Sequence, residues 1–481
     1  MDGSQPIGQG RSDRHPGDTY GDILERDSRP VPGHLREGRL PEIGTEPVLA
    51  SRYTSRAFFD KELRHLWPRV WQFACRVEDI PDVGDTLIYE NVGKSLLVVR
   101  TAPDAIRAFY NTCLHRGRKL ATHDGCKNEL RCPYHGIAWN IDGSFKDNPI
   151  GWDFPQWEGG DMSLPQARVD TWGGFVFVNF DPAAPPLASL IKPLADDFAR
   201  YDWENRYRAM WIQKKVRCNW KAMTEAFMES HHSLTTHPQI LPALGDANSQ
   251  YDLPNDYVSR HFSAQGVPSP FLSGVTEQDV VDYMTGMGGG RRTRPFAGAG
   301  ETHKVPEGTT ARVYMAEIGR QGLTQETGYD YSHASDAEML DALLYNIFPN
   351  MSVWAGHAPK LTYRWRPNGL DVDTGLMDIM IFAPCPKEGP RPAGAPVIEL
   401  GFDEPVSSIP GLGGLAAVFD QDFGNLPYVQ EGLHATGNGQ VHFARYSEMR
   451  IRHLHQMIDR YIAVGEASSN ASGCLRDARI R

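Results

Sequence analysis

Two pairs of cysteine and histidine lie close together in the first third of the chain. Cys113 and His115 form a Cys-x-His pair. Sixteen residues separate His115 from Cys132, which begins a Cys-x-x-His pair that ends with His135. Two such pairs on separate turns can place two thiolates and two imidazoles around one small metal centre. A [2Fe–2S] cluster with two Cys on one iron and two His on the other uses this donor set. The pattern therefore predicts an electron-carrying cluster.

The alternative for these four residues is a structural zinc site with two Cys and two His ligands. Zinc sites usually separate their paired ligands by two to five residues. The single residue between Cys113 and His115 is shorter than that spacing. The neighbouring Arg116-Gly117 and Pro133-Tyr134 also favour the cluster over zinc.

A second group of potential metal ligands lies further along the chain. Glu225, Glu229 and His232 are four and three residues apart, so a continuous helix would carry them on one face. His237 follows His232 by five residues, which is about 140° around an ideal helix. The two imidazoles can therefore converge only if the helix opens, and Pro238 predicts that opening because it disfavours helical geometry at His237.

Two imidazoles that converge there, with one carboxylate from elsewhere in the chain, would form a facial triad. That geometry suits Fe(II) and leaves coordination positions open for dioxygen. An isolated pair of histidines is more simply interpreted as polar surface. This pair follows the Cys/His motif in the same chain, which favours the metal interpretation.

Together these stretches resemble the large (alpha) subunits of Rieske non-haem iron oxygenases, the aromatic ring-hydroxylating enzymes. The Rieske proteins of quinol-oxidising respiratory complexes are less similar, because they carry an extra Cys in each loop, whereas Cys126 stands alone between the two pairs here. The resemblance to the oxygenases runs from about Tyr53 to Ile462, which is nearly the whole chain. It includes Trp67, Trp71, Gly84-Asp85 and Ala108 to Asn111.

Residues 219–237 resemble a family motif that begins with Asn-Trp-Lys and ends with two histidines that bind the mononuclear iron, and the resemblance assigns that ligand role to His232 and His237. The sequence departs from the family motif at several positions. Glu229 stands where Asp is usual, His231 where Tyr is usual and Ala226 where Asn is common. One residue is also missing between Glu225 and Glu229 relative to some members.

The third iron ligand of the family is a carboxylate on a helix far along the chain. Residues 419–433 resemble that helix, with Gln430 and Gly432-Leu433 as its downstream anchor. Counting back from Gln430 favours Asp422 as the ligand, and Asp420 is the alternative. Whichever of the two does not bind metal is interpreted as a surface acid at the start of a helix.

The resemblance implies an α+β fold with a small antiparallel β Rieske domain. The larger catalytic domain would be a helix-grip (START-like) fold with a central antiparallel sheet. The expected cofactors are a [2Fe–2S] cluster and Fe(II). The cluster is expected on Cys113, His115, Cys132 and His135, and the Fe(II) on His232, His237 and Asp422.

The family also implies partners and an electron path. Electrons would come ultimately from NAD(P)H through a separate reductase and/or ferredoxin. The assembly would be a homotrimer (α3), or α3β3 with a small beta subunit. Within the trimer, His135 of one subunit would approach Glu229 of the next, and Glu229 would bridge it to His232 as a catalytic residue.

The implied activity is that of a terminal oxygenase, which inserts oxygen from O₂ into an apolar, aromatic substrate by cis-dihydroxylation or monohydroxylation. Aromatic hydrocarbon catabolism is the expected setting. The alternatives are a Rieske electron-transfer protein without oxygenase activity and a zinc-stabilised binding module. Roughly 300 residues beyond the β domain exceed what a carrier needs and the size of a usual domain.

Length and composition exclude several other classes. The chain has 481 residues, of which 40% are hydrophobic and 23% charged, which fits a globular protein of about two domains. A net charge of −11 argues against general nucleic-acid binding. Seven cysteines without a disulfide-like spacing predict buried or inert thiols at Cys75, Cys218, Cys385 and Cys474, and a cytoplasmic setting. No apolar run reaches about 18 residues and no secretory signal is visible.

The elements that must position the ligands follow from local patterns. Residues 1–50 are predicted to form an extended, loosely ordered arm, residues 51–185 an N-terminal helix and the Rieske domain, and residues 186–481 the catalytic domain. Thr54 or Ser55 is the predicted N-cap of the first helix, and Pro68 ends it. Strands are predicted at 96–100, 175–180, 361–365 and 379–382, and a long helix near the end of the chain.

Two further predictions concern a turn and a pocket. Residues 288–292 are predicted to form a solvated turn. A substrate pocket is predicted to be lined by Phe227, Met228, the segment after His237 and residues 346–354.

Overall fold

The computed structural model describes residues 17–286 and 303–477, with the side chains of residue 248 and of residues 468–477 left out of the description. The chain divides into two compact units. One contains the chain up to Asp60 and Leu190–Arg460, and the other contains Lys61–Ser189 and the chain from Tyr461 onward. Boundaries were predicted at residues 50 and 185, and the assignment of the last segment to the smaller unit was not anticipated.

The smaller unit is an antiparallel β domain, as predicted. Its larger sheet has seven strands, in the spatial order Gln72–Arg76, Phe175–Asn179, Gln166–Trp172, Ala105–Tyr110, Lys94–Ala102, Asp85–Asn91 and Gly125–Cys126. A three-stranded sheet contains Leu130–Arg131, Ala138–Trp139 and Phe145–Asp147. The first Cys/His pair follows the strand Ala105–Tyr110, and the second pair lies between the first two strands of the small sheet.

The larger unit is built on an eight-stranded sheet. Its strands are, in spatial order, Leu244–Asp252, Val258–Gln265, Ala342–Ile347, Met351–Ala355, Lys360–Pro367, Gly375–Pro384, Arg206–Val216 and Val397–Leu400. All neighbours pair antiparallel except the last two strands, which are parallel. The four predicted strand segments lie in the observed strands, except that residue 180 falls just beyond Phe175–Asn179.

Among the helices of the described residues, one long helix packs on the eight-stranded sheet because its apolar residues join the core of that sheet. The α-helices are Tyr20–Leu24, Ser51–Thr54, Arg56–Lys61, Leu187–Leu190, Lys192–Phe198, Trp220–Glu225, Ser233–Thr236, Glu277–Gly286, Ala311–Thr327, Asp336–Leu340, Gly414–Ala435 and Met449–Asp477. Gly414–Ala435, which we call the carboxylate helix, contributes Phe419, Phe423 and Leu426 to one hydrophobic core. The sheet contributes Ile212, Tyr363 and Ile379 to the same core, so the helix is fixed against the sheet by apolar burial.

The predicted first helix begins after Ser55, whose hydroxyl accepts a hydrogen bond from the Phe58 N–H at 3.3 Å. The α-helix Arg56–Lys61 continues as a π-helical turn, Glu62–Leu66, before Pro68 ends it in the short 3₁₀ turn Trp67–Arg69. The predicted long helix near the end of the chain is Met449–Asp477.

The described part of the predicted N-terminal arm is more ordered than expected, so the prediction of a loose segment is wrong for it. Thr19 caps the short helix Tyr20–Leu24 through a reciprocal capping box with Asp22. Tyr20, Leu24 and Leu35 are buried. These apolar side chains are spaced irregularly, so no period in the sequence marked them as core.

Several sequence expectations concern other parts of the chain. Cys75, Cys218 and Cys385 are buried, as predicted, whereas Cys474 and the turn at residues 288–292 lie outside the described side chains and residues. Within the described ranges, no helix combines the length and the apolar character needed to cross a bilayer.

Candidate metal centres

The two Cys/His loops of the smaller unit have the same backbone closure. The Cys113 N–H donates to the Arg118 carbonyl and the Cys132 N–H to the Ile137 carbonyl, both at 2.8 Å. Four residues after each Cys a glycine has positive φ, 75° at Gly117 and 81° at Gly136, which favours glycine over other residues. Each loop therefore turns tightly enough to present its Cys and His side chains together.

The loops bring the two cysteines together and the two histidines together. Burial raises the pKa of the Cys113 thiol, and the neighbouring Cys132 thiol raises it further. The imidazole rings of His115 and His135 lie 4.7 Å apart between centroids. The Nδ1 atom of His115 is buried and has no hydrogen-bond partner among the described residues. Paired thiols, paired imidazoles and an unsatisfied ring nitrogen fit a [2Fe–2S] cluster with two Cys on one iron and two His on the other.

The same geometry fits a single zinc ion less well. Four donors around one tetrahedral zinc would be about 3.5 Å apart, given Zn–ligand bonds of roughly 2.0–2.3 Å. In the described parts of the chain, the only three potential ligands with donor atoms within 4.8 Å of one another belong to the other site. The four donors of the loops do not form such a group, so they fit the two-iron cluster better than one zinc ion.

Aromatic and cationic side chains pack around the two loops. The Arg116 guanidinium lies over the Tyr134 ring at 5.3 Å, and the Tyr134 ring lies 3.8 Å from that of His135. Phe154 packs against the His115 ring at 5.4 Å. Cys113 and Cys132 are buried in one cluster with Phe109 and Trp139, whereas His135 is exposed. One histidine edge of the cluster site is thus open at the surface of this unit.

The segment that carries the second site is not one continuous helix, so the prediction of a shared face for Glu225, Glu229 and His232 is wrong. The helix Trp220–Glu225 ends early, and a new helix, Ser233–Thr236, starts after His232. The Glu229 carboxylate accepts the His232 N–H at 3.0 Å, and the Ser230 hydroxyl donates to the Asp246 carbonyl at 3.0 Å. These contacts hold the intervening residues out of a helix.

The predicted opening at Pro238 is present, and it lets the two histidines converge. His237 has φ −127° and ψ 50°, which is not helical, and its ring centroid lies 5.1 Å from that of His232. His237 Nε2 is 2.9 Å and His232 Nε2 is 3.6 Å from Asp422 Oδ1. Donor atoms of all three residues lie within 4.8 Å of one another, which fits the two-His, one-carboxylate facial triad for Fe(II).

The other nitrogen of each histidine is held by a partner. His232 Nδ1–H donates to Glu229 Oε1 at 2.5 Å, and His237 Nδ1–H donates to Gln421 Oε1 at 2.8 Å. Both Nε2 lone pairs are therefore directed at the position beside Asp422. Burial lowers the pKa of His232, but the hydrogen bond and charge of Glu229 outweigh burial and leave that pKa raised.

Gln421 and its neighbour Gln239 were not singled out from the sequence. The Gln239 amide donates to Gln421 Oε1 at 2.6 Å, and that oxygen also accepts from His237. Neither glutamine belongs to a sequence motif. The one feature of the sequence that could have indicated Gln421 is its position next to Asp422, the predicted ligand.

The carboxylate helix distinguishes the two candidate aspartates. Asp422 is buried beside the histidines, whereas Asp420 accepts the N–H groups of Val406 and Ser407 at 2.6 and 3.1 Å. Two positions along a helix turn the side chain by about 200°, so both aspartates cannot face the same site. The geometry assigns Asp422 to the metal group and Asp420 to the cap of a short 3₁₀ turn.

Glu225, the first acidic position of the motif, belongs to a separate buried network. Tyr53 donates its hydroxyl to Glu225 at 3.0 Å, and His455 Nε2–H donates to Glu225 Oε1 at 2.8 Å. Arg52 Nε–H donates to His455 Nδ1 at 3.0 Å, which fixes the tautomer of that imidazole. The network anchors the end of the helix Trp220–Glu225.

The predicted anchor Gln430 joins the carboxylate helix to the start of that same helix. Its Oε1 accepts the Asn219 N–H at 2.9 Å, and its Nε2 donates to Asp373 at 2.6 Å. Asn219 in turn caps the helix through the Lys221 N–H at 3.0 Å. Gln430 thus fixes the histidine segment and the aspartate helix relative to each other.

Replacing Gln430 with Leu is expected to lower the free energy of unfolding of the larger unit by about 1–3 kcal/mol. The reason is that the buried Asn219 N–H loses its acceptor. The shift of the thermal midpoint, followed by circular dichroism, measures this effect. Glu431→Leu, one position along and exposed, is the control. Equal midpoints for the two variants would contradict the anchoring role.

A cavity of about 250 Å³ opens beside the triad, and His232, His237 and Asp422 all line it. Phe227, Ile240 and Trp354 line the cavity as predicted, whereas Met228 and Asn346 do not. Met228 is buried elsewhere because its carbonyl accepts a hydrogen bond from Arg450 at 2.9 Å. Further apolar lining comes from the sheet, from the carboxylate helix with the residues just before it, and from three other helices. These residues are Leu344, Leu361, Tyr363, Leu412, Leu415, Val418, Phe419, Tyr283, Met284, Met315, Met339 and Leu340.

Comparison with protein families identifies both units. The model of the ring hydroxylating alpha subunit catalytic domain matches residues 199–464, and the Rieske [2Fe-2S] domain matches residues 70–157. The first match covers more than half of the chain. The protein therefore belongs to the ring-hydroxylating alpha subunit family of Rieske oxygenases, as the sequence resemblance predicted.

Individual relatives within this family are distant. The carnitine monooxygenase oxygenase subunit of Escherichia coli (strain K12) is 27% identical over 194 residues, which is 40% of this chain and 52% of the relative. The glycine betaine monooxygenase oxygenase subunit of Pseudomonas aeruginosa (strain UCBPP-PA14) is 30% identical over 40% of this chain and 45% of its own length. The biphenyl 2,3-dioxygenase subunit alpha of Rhodococcus jostii (strain RHA1) is 32% identical over 40% and 44%. The alignments thus span about half the length of these curated relatives.

Solved structures support the fold over most of the chain. A quaternary ammonium Rieske monooxygenase in complex with L-carnitine superposes with a TM-score of 0.59 at 16% identity, covering 88% of this chain and 99% of the other. A naphthalene 1,2-dioxygenase with indole bound in its active site gives a TM-score of 0.57 at 17% identity, covering 88% and 93%. At these identities the likeness concerns the fold alone.

Proposed function

We propose that the chain is the terminal oxygenase component of a multicomponent system, which inserts oxygen from O₂ into an organic substrate. Cys113, His115, Cys132 and His135 would hold the [2Fe–2S] cluster, and His232, His237 and Asp422 the Fe(II). The observation that carries the proposal is that all three iron-ligand candidates line one largely apolar cavity. An electron carrier needs no such cavity beside a second metal group, so the carrier alternative is not favoured.

The chain's own residues would prepare the site for that reaction. The iron, when bound, would supply a redox-active centre with open positions for dioxygen, and the cluster would supply electrons one at a time. Glu229 and Gln421 hold the two imidazoles in the tautomer whose Nε2 lone pair is available to metal. The apolar walls would limit the access of bulk water to a bound substrate.

The cavity favours a substrate with a substantial apolar or aromatic surface. Phe227, Trp354, Tyr363 and Phe419 form a continuous aromatic wall, with ring centroids of neighbouring members 5.3–6.3 Å apart. Such a wall can pack against an aromatic substrate edge to face. We propose an aromatic or otherwise apolar compound as the first candidate, oxidised by cis-dihydroxylation or monohydroxylation.

A quaternary ammonium compound is the second candidate, since relatives named for carnitine and glycine betaine are among the similar proteins. Aromatic faces attract such cations, so the same wall could bind a trimethylammonium group. Oxidation at an N-methyl carbon would then lead to demethylation. Of the described lining residues, the carboxylates are Glu229 and Asp422, both in the metal group, so the wall itself would have to hold the cation.

The proposed partners follow from the electron requirement. A separate reductase and/or ferredoxin would reduce the cluster at the expense of NAD(P)H. We propose a homotrimer, with or without a small beta subunit, in which His135 of one subunit faces Glu229 of the next. The exposure of His135 and its position on a ligand loop support this role.

The test is O₂ uptake by iron-loaded protein with a surrogate reductase over a panel of substrates. The panel contains naphthalene, biphenyl, benzoate, carnitine, glycine betaine and choline. Coupled O₂ uptake with ¹⁸O in the product is expected for at least one class. Two labelled atoms in a cis-diol indicate dihydroxylation, and formaldehyde with a demethylated amine indicates the second candidate. A colourless, iron-free preparation would contradict the proposed function outright.

A further inference from the structure

A third histidine, outside both ligand sets, lines the cavity beside the triad. His261 lies on the strand Val258–Gln265, is buried, and forms part of the cavity wall together with Ser263 and Gln265. Its ring stacks on Tyr251, with centroids 4.6 Å apart and planes 14° from parallel. The imidazole is therefore held in one plane by packing.

One ring nitrogen of His261 is fixed by a chain of hydroxyl groups. Nε2 lies 2.8 Å from Ser263 Oγ, and Ser263 Oγ lies 2.5 Å from Ser249 Oγ. Ser249 donates to the Asp246 carbonyl at 2.8 Å and lies 3.1 Å from Ser230 Oγ. The serine hydroxyl groups satisfy the hydrogen-bonding capacity of Nε2, so one ring nitrogen of His261 is left for another partner.

That remaining nitrogen, Nδ1, is buried and has no hydrogen-bond partner among the described residues. A buried polar atom without a partner lowers stability, so such atoms mark places where a ligand or water completes the site. Burial, with the charges of Arg450 and His232, holds the pKa of His261 well below its usual range. The imidazole is thus neutral and presents either a bare acceptor or a single N–H donor.

We propose that His261 is a specificity-determining residue that hydrogen-bonds through Nδ1 to a hydroxyl group on the substrate. A hydroxyl both donates and accepts, so it pairs with either tautomer of the imidazole. A carboxylate fits less well, because it can only accept and therefore pairs with the imidazole only when Nδ1 carries the proton. The proposal rests on the proposed function and narrows its substrate to an apolar or trimethylammonium body that carries a neutral hydroxyl.

The experiment uses three pairs of probes that differ by one hydroxyl. They are 2-phenylethanol with ethylbenzene, 2-naphthol with naphthalene, and choline with ethyltrimethylammonium. Binding to the full-length, iron-loaded protein is measured by calorimetry without O₂. In at least one pair the hydroxylated member is expected to bind about 5–10-fold more tightly, which corresponds to one net hydrogen bond.

Variants then assign the preference to His261. His261→Phe keeps an aromatic ring against Tyr251 but removes both nitrogens, and the affinity ratio is expected to fall to about one. His261→Gln restores a polar group and is expected to recover part of the ratio. His357→Phe is the matched control, because His357 is also buried with an unpartnered nitrogen but does not line the cavity, and its ratio should equal that of the wild type.

The outcomes separate this inference from the proposed function. Equal affinities within all three pairs for the wild type overturn the inference, whether or not the variants fold. A preference that survives in folded His261→Phe overturns it as well. Oxygenation of any panel compound by the wild type, measured separately, still supports the proposed function in those cases.

Discussion

Glu229→Gln is expected to reduce steady-state turnover by roughly 10–100-fold while both metal centres remain loaded. The amide oxygen of Gln can still accept the His232 Nδ1–H, which Glu229 accepts at 2.5 Å in the wild type. The variant loses the negative charge. In the wild type that charge supports the basicity of the imidazole and would form the proposed bridge for electrons from the neighbouring subunit. The measurements are the iron content and the visible absorption, which should be retained, and the oxidation of the reduced cluster in a single turnover, which should be slow.

Glu448→Gln is the matched control for that variant. The Glu448 carboxyl is close enough to Glu229 to interact with its charge, and it accepts the Ala444 N–H, which an amide can also do. Removing this charge leaves the hydrogen bond between His232 and Glu229 in place, so turnover should stay within about twofold of the wild type. Normal turnover in Glu229→Gln would refute the bridging role, and equal losses in both variants would point to general electrostatics instead.

His237→Ala is expected to abolish oxygenation altogether and to lower the iron content from about three to about two atoms per chain. His237 is buried and its Nε2 lies 2.9 Å from Asp422, so its loss leaves the iron site with one imidazole and one carboxylate. The cluster, which lies on other residues, should keep its visible spectrum. Metal analysis and absorption spectroscopy on the same sample measure both effects.

Asp422→Asn and Asp420→Asn test the carboxylate in the same way and control for each other. They stand two positions apart on one helix, yet only Asp422 faces the histidines. We expect Asp422→Asn to lose iron and activity, and Asp420→Asn to keep both with a stability loss of about 1 kcal/mol from a weakened cap. Iron loss in Asp420→Asn with retention in Asp422→Asn would reverse the assignment of the ligand.

The candidate metal ligands could be predicted from the sequence because they depend on residue type and on short spacings. Cys and His at fixed intervals in two tight turns predicted the loops that hold Cys113 with Cys132 and His115 with His135. Pro238 predicted the opening that lets His232 and His237 converge, because the effect of proline on its predecessor is local. Asp422 could be chosen over Asp420 by counting from Gln430, which the fold places as an anchor.

Features that depend on contacts between residues distant in the sequence could not be predicted from the sequence. Periodicity predicted one helix through Glu225, Glu229 and His232, but Ser230 is held by Asp246 and Tyr251, and Glu225 by Tyr53 and His455. These tertiary bonds outweigh the modest helical preference of the segment. Gln421 and His261 were missed for the same reason, since neither belongs to a local motif and only the tertiary fold brings Gln421 to His237 and His261 to the cavity.

The carboxylate helix performs two tasks at once, and this has a consequence for how substrate range can change. Asp422 belongs to the metal group, while Leu412, Leu415, Val418 and Phe419, on or just before the same helix, form part of the cavity wall. A bulkier or smaller residue there would shift the helix and displace the ligand by a fraction of an ångström. Leu344, Trp354 and Leu361 lie on strands that carry no ligand. New specificities, whether evolved or engineered, should therefore arise more readily by substitution on the strands than on the helix.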